Sequence, residues 1–208
     1  ELPNGIRVIV REDHAVPVVA VEAGFLAGLR AEPADKGGVA GLTAGMLTKG
    51  TKNRSAREIS EEVENMGAEL SGYSGRNTFG LQGKFLSRDF GRGFRLFAES
   101  LREPTFPGEE LEKKRREALG ALKQQKDQLT QAVFLLFLEE QYDGHPYGRN
   151  PLGTEKSISA MTPADLKDYY LRWADPRNMV LAISGDIDPE EALEAARSAF
   201  GDFPKREG

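Results

Sequence analysis

The sequence predicts an α+β domain. Its strand-like and helix-like segments are grouped rather than strictly alternating, which argues against a doubly wound parallel sheet. Polar and apolar residues alternate through its first 25 positions, where β-branched residues are frequent. Helix start signals recur at Ser55, Asp89, Thr162 and Asp188.

Leu2-Pro3-Asn4-Gly5 is a turn signal, and Ile6-Arg7-Val8-Ile9-Val10 alternates as a strand does. Pro17 to Phe25 repeats the pattern after a short polar loop, so the two are expected as a hairpin or as neighbours. Gly37 to Leu47 is apolar and small without strict alternation, as in a short buried helix, and Lys49 to Asn53 breaks it. Ser55 with Glu58 forms a capping box; Ile59, Val63 and Met66 make the apolar stripe, and Gly67 ends the helix.

Ala68 to Tyr73 and Thr78 to Leu86 read as two strands joined by Ser74-Gly75-Arg76-Asn77. Gly72, Gly75, Gly80 and Gly83 suggest close approach by another backbone. Asp89 is placed to cap a helix through Leu101, before Pro104 and Pro107. Gly108 to about Tyr142 reads as one long helical tract, acidic at its start and apolar near its end at Phe134, Leu135, Phe137 and Leu138. Gly144 to Gly153 is a loop, Thr162-Pro163 opens a helix to Trp173, Met179 to Ile183 is a strand, and Asp188-Pro189 starts a last helix ending near Phe200.

With 208 residues, 39% of them hydrophobic, the chain suits one domain with a sizeable core. A net charge of −5 without a basic stripe argues against a nucleic-acid partner. No apolar run approaches the roughly 20 residues of a membrane span, so the chain reads as soluble, cytoplasmic or exported. The absence of cysteine excludes thiolate zinc sites and a cysteine nucleophile. The chain opens on Glu1 at a turn and closes on a polar run at about 201–208, which is expected to be the exit toward a following domain.

Gly38-Val39-Ala40-Gly41-Leu42-Thr43-Ala44-Gly45-Met46-Leu47-Thr48-Lys49-Gly50-Thr51 resembles the signature segment of the pitrilysin/insulinase zinc metallopeptidases, the family of mitochondrial processing peptidase. Active members carry His-x-x-Glu-His within that frame. The spacing sets two imidazoles one helical turn apart around a metal, with the Glu as base for its bound water. Here those places hold Gly41, Gly45 and Ala44. Counted by the family's spacing, the third ligand, a Glu, falls on Ala121; matching Glu110-Leu111-Glu112 to the family's acidic helix start gives the same residue. A further family Glu falls on Lys114, whose cation repels Zn²⁺.

The chain has two histidines. His14 reads as an exposed loop residue, and His145, in His145-Pro146-Tyr147-Gly148, matches a family loop where it is structural. Glu112 and Glu117 lie near the third-ligand place and read as solvated helix carboxylates.

The resemblance extends from Leu2-Pro3-Asn4-Gly5 through Met66-Gly67-Ala68, Pro104-Thr105-Phe106 and Leu152-Gly153-Thr154 to Asn178-Met179-Val180 and Gly185-Asp186, all in family order. It implies one domain over 1–208 with a mixed, mostly antiparallel sheet backed by helices, and a clamshell assembly in which one half holds zinc. This chain is similar to the half that has lost it. The resemblance therefore implies a non-catalytic half or subunit with no cofactor of its own, partnered by a zinc-bearing peptidase half, fused or separate, and by peptide substrate. It also implies an edge strand at Ser71, Gly72, Tyr73, Ser74 and Gly75 that receives extended peptide. The alternative is a structural or interaction protein of the same fold with no proteolytic role.

Overall fold

The computed structural model describes residues 1–205. Five strands form one sheet: β1 (Arg7–Glu12), β2 (Val18–Leu26), β3 (Glu69–Ser74), β4 (Thr78–Leu86) and β5 (Met179–Gly185). Their order is β1-β5-β2-β4-β3; β1–β5 is the parallel pair, and the other three pairings are antiparallel. The eight α-helices are α1 (Val39–Met46), α2 (Ala56–Asn65), α3 (Phe90–Arg102), α4 (Gly108–Asp127), α5 (Leu129–Gln141), α6 (Glu155–Ala160), α7 (Pro163–Trp173) and α8 (Pro189–Phe200). The domain is α+β, with a mixed, mostly antiparallel sheet.

Helices cover one face of the sheet. Alternate residues Val19, Val21, Ala23 and Phe25 of β2, and Phe79, Leu81 and Phe85 of β4, are buried against them. Phe79 packs tilted against Phe25 and edge-on against Tyr169, at centroid distances of 5.4 and 5.3 Å. On the opposite face Ala20, Glu22, Gln82 and Lys84 remain exposed.

The expected β1–β2 hairpin does not form, because β5 lies between the two strands. Met179, Leu181 and Ile183 of β5 are fully buried, whereas β1 carries Arg7, Arg11 and Glu12. The more apolar strand takes the interior place, and the charged one takes the edge.

The single helix expected from Gly108 to Tyr142 is two helices, broken at Gln128, which is extended at φ −98° and ψ 97°. No proline or glycine marks the break. Instead, Leu138 is buried and Gly148 lies so close to the end of α5 that a Cβ there would stand 3.1 Å from the Leu138 carbonyl. Docking on the 146–148 turn thus draws α5 off the axis of α4.

Asp89 makes no side-chain cap; a 3-10 turn at Ser87–Asp89 leads into α3, and the carboxylate accepts from Arg88 Nε. Ser55 and Glu58 form the predicted capping box. The short helix α6 has no counterpart among the expected elements; Thr154 and Ser157 cap it reciprocally. The two ends of the domain are joined: buried Asn4 donates from Nδ2 to the carbonyl of Phe200 at 2.7 Å and to that of Phe203 at 3.4 Å. Phe203, within the expected exit segment, is buried, and residues 206–208 of that segment lie outside the described residues. No described helix is long and apolar enough to cross a membrane.

Candidate functional site

The helix α1 carries Gly41, Ala44 and Gly45, three of the places where the family resemblance expects zinc chemistry. Its N-terminus starts after Gly38, left-handed at φ 89°. Glu32 caps it from outside the helix: Oε2 accepts from Gly38 N and Oε1 from Ala40 N, each at 2.9 Å. Burial pushes the Glu32 carboxyl up to about 7, against the lowering effect of those two amides and of the Arg149 guanidinium. Sequence reasoning missed this cap because a carboxylate six residues upstream of the helix N-cap matches no local capping pattern.

Gly41 and Gly45 lie one turn apart on the same helix face. Gly41 is exposed, and a Cβ there would meet nothing within 4 Å. A Cβ at Gly45 would stand 3.9 Å from Lys114 Cδ, so the aliphatic stem of Lys114 lies over Gly45. Along α4, Lys114, Glu117 and Ala121 follow at helical spacing on one stripe. Lys114 Nζ donates to Glu117 Oε2 at 2.6 Å. That bond, with a smaller contribution from Lys49, holds the Glu117 carboxyl below its ordinary value. Glu112 belongs elsewhere: it accepts from Arg115, whose guanidinium also donates to the carbonyls of Ile158 and Met161 at the end of α6.

The structure thus sets Gly45 of α1 against Lys114 of α4, leaves Gly41 facing open space, and buries Ala44 beside Gly72 of β3. The donor set does not fit zinc. Glycine and alanine offer no side-chain ligand, and an ammonium cannot ligate without losing its proton. Among the described residues no group of three or more His, Cys, Asp or Glu is gathered to hold a metal. His14 lies between Glu12 Oε1 at 2.7 Å and Asp186 Oδ1 at 2.6 Å, and its pKa is raised, first by the Asp186 bond. His145 accepts from Tyr147 N at 3.2 Å and caps its own turn.

β3 runs along the sheet edge beside α1. Gly72 is required there, because a Cβ would collide with the carbonyl of Ala44. Gly80 meets backbone likewise, at Ala23, whereas Gly83 faces the Phe85 ring and Gly75 has ordinary space. Gly75 N donates to Thr78 O, so Gly75 and Thr78 are a hydrogen-bonded pair of the hairpin. By antiparallel alternation, Tyr73 and Ser71 then face β4 with their backbone groups, while Leu70, Gly72 and Ser74 turn theirs outward. The Tyr73 side chain projects onto the open sheet face, where its hydroxyl is hydrogen-bonded to Glu22; burial, first, and then that bond raise its pKa.

Comparison with known proteins gives two family matches. The model for insulinase (peptidase family M16) matches residues 7–155, and that for the peptidase M16 inactive domain matches residues 160–208. The beta subunit of the mitochondrial-processing peptidase of Saccharomyces cerevisiae is 30% identical over 207 residues, covering 100% of this chain and 45% of that protein. Subunit 1 of the mitochondrial cytochrome b-c1 complex of Bos taurus is 29% identical over 200 residues, 96% of this chain and 42% of that protein. A crystal structure of a peptidase M16 inactive domain from Pseudomonas fluorescens superimposes with a TM-score of 0.91 at 26% identity, covering 99% of this chain and 50% of the other. The chain spans less than half the length of these curated relatives.

Proposed function

The chain belongs to the insulinase family, peptidase family M16, and from that premise we propose that it is a non-catalytic half or subunit of a two-part zinc metalloendopeptidase. In this role it closes the chamber, supports peptide binding and assembles with a half that holds the zinc. One observation carries the reading: the positions for both imidazoles, the base, the third ligand and the supporting acid hold Gly41, Gly45, Ala44, Ala121 and Lys114, within an otherwise intact frame. The loss is coordinated, and the fold around it is kept.

The edge strand over Ser71, Gly72, Tyr73, Ser74 and Gly75 is proposed to receive extended peptide along β3, up to Gly75, whose own backbone groups already bond Thr78 and Leu29. Backbone groups turned outward at Gly72 and Ser74 supply main-chain hydrogen bonds without needing a particular side chain.

The test is elemental analysis of the purified chain after dialysis against zinc, together with a peptidase assay on an unstructured protein substrate. The expected result is zinc well below one equivalent and no cleavage; one tightly held zinc per chain, or cleavage by the chain alone, overturns the proposal.

The similarity to the bovine cytochrome b-c1 subunit favours a second reading, a structural or interaction protein of the same fold with no proteolytic role. A zinc-bearing M16 partner co-purifying with the chain and cleaving peptides only in its presence supports the first reading over the second.

A further inference from the structure

Outside the degenerate centre, the most unusual surface is α5. From Leu129 to Leu138 it carries no charge, yet Leu129 is 81% exposed, Val133 64%, Phe134 57%, Leu136 62% and Phe137 56%. Side chains of this size present roughly 500 Å² of contiguous apolar surface, at the upper end of what a monomer shows. Leu129, Val133 and Leu136 follow the spacing of one helix face, with Phe134 and Phe137 beside them. Leu138 is the large side chain of α5 turned fully into the domain.

Two observations say what covers this face, and a third says how tightly. First, the uncharged stretch has ends of opposite sign. Lys123 and Lys126, offset only by Asp127, precede it, whereas Glu139, Glu140 and Asp143 follow it, and all six are exposed. The two lysines stand in the last turns of α4, just before the start of α5, so two copies laid antiparallel about Val133 bring the acidic end of each α5 toward the α4 end of the other; a parallel arrangement sets like against like. Second, α5 packs on α4 and on the 146–148 turn, while Asp202 and Phe203, the last anchored residues, sit against α3 and α8, with α8 beside β1. Chain continuing past residue 205 therefore starts from a different part of the domain. Third, the patch is smaller than the about 800 Å² that each partner of a standard interface buries, which points to a reversible contact rather than an obligate one.

We infer that α5 pairs antiparallel with α5 of a second copy of this chain, forming a two-fold dimer centred near Val133. This contact is independent of the emptied metal centre and of the peptidase role proposed above.

Sedimentation equilibrium of the purified chain from low micromolar to sub-millimolar concentration tests it. The expected result is a monomer–dimer equilibrium. Phe134→Glu with Phe137→Glu weakens it by about tenfold or more, while circular dichroism is unchanged because both side chains are exposed. Because the chain has no cysteine, Val133→Cys adds a clean reporter: mild oxidation yields a disulfide-linked dimer. Ser60→Cys, an exposed position on α2, does not. A chain that stays monomeric throughout overturns the inference, as does a dimer indifferent to the two glutamates or cross-linking that is equally fast at both cysteines.

Discussion

Glu32 shows how much one side chain decides at this site. Its two carboxylate oxygens each hold an amide of the first turn of α1. Glu32→Gln offers one acceptor for two donors, which leaves a buried N–H unpaired and costs about 1–3 kcal/mol. The pH dependence has a definite sign. The carboxyl titrates at about 7 in the folded chain against an ordinary 4.5, so the folded state binds the proton more tightly. Its contribution to stability is greatest below 4.5, falls as pH rises toward about 7, and is level above. Urea unfolding of the two proteins across that window is expected to show the wild-type chain losing stability relative to Glu32→Gln as pH rises; a pH-independent difference removes titration at Glu32 from the account. Legibility at this scale followed locality. Ser55 with Glu58, and Thr162 and Asp188 as helix openings, were readable because cap and helix adjoin in the chain. Glu32, reaching across a loop, was not, and Asp89 has cap chemistry but accepts from Arg88 instead.

Elements carry the contrast between glycines that are spare and glycines that are needed. Gly41 sits in the exposed interior of a helix with open space around it, so Gly41→Ala is expected to stabilise the domain by about 0.5–1 kcal/mol. Gly72 lies where β3 crosses the Ala44 carbonyl, so Gly72→Ala is expected to destabilise it by about 1–3 kcal/mol through forced displacement of backbone. Denaturant midpoints of the two variants should move in opposite directions; a shared direction refutes the packing of β3 on α1. Glycine within a strand pattern already pointed to a close backbone approach at Gly72, but the partner, the Ala44 carbonyl, and the open space at Gly41 depend on neighbours contributed by other elements. The same limit hid the break at Gln128, a residue with no breaking chemistry of its own, which follows from contact of α5 with a turn that comes later in the chain.

For the whole molecule, the fold class was legible because it rests on the grouping of helical and extended segments. Strand order was not, because a strand from the end of the chain inserts between the first two. That insertion gives the sheet two unlike edges. β1 carries Arg7, Arg11 and Glu12, charges that discourage added strands. β3 offers a Gly- and Ser-rich border. If β3 receives peptide, Ser74→Pro removes an outward N–H without touching the ladder to β4, and it is expected to weaken binding of a fluorescein-labelled unstructured peptide several-fold, by about 1 kcal/mol, with the fold unchanged. Anisotropy titrations that do not distinguish the two proteins take β3 out of the proposal. The Lys114 stem lying over Gly45 has a consequence for reversal. A histidine restored at position 45 alone displaces that stem and still lacks two of the three protein ligands that zinc needs. On the proposed assignment of the zinc places, no single step back gains a metal, and the step at position 45 also disturbs the Lys114–Glu117 pair, so the loss acts there as a ratchet held by the Lys114 stem.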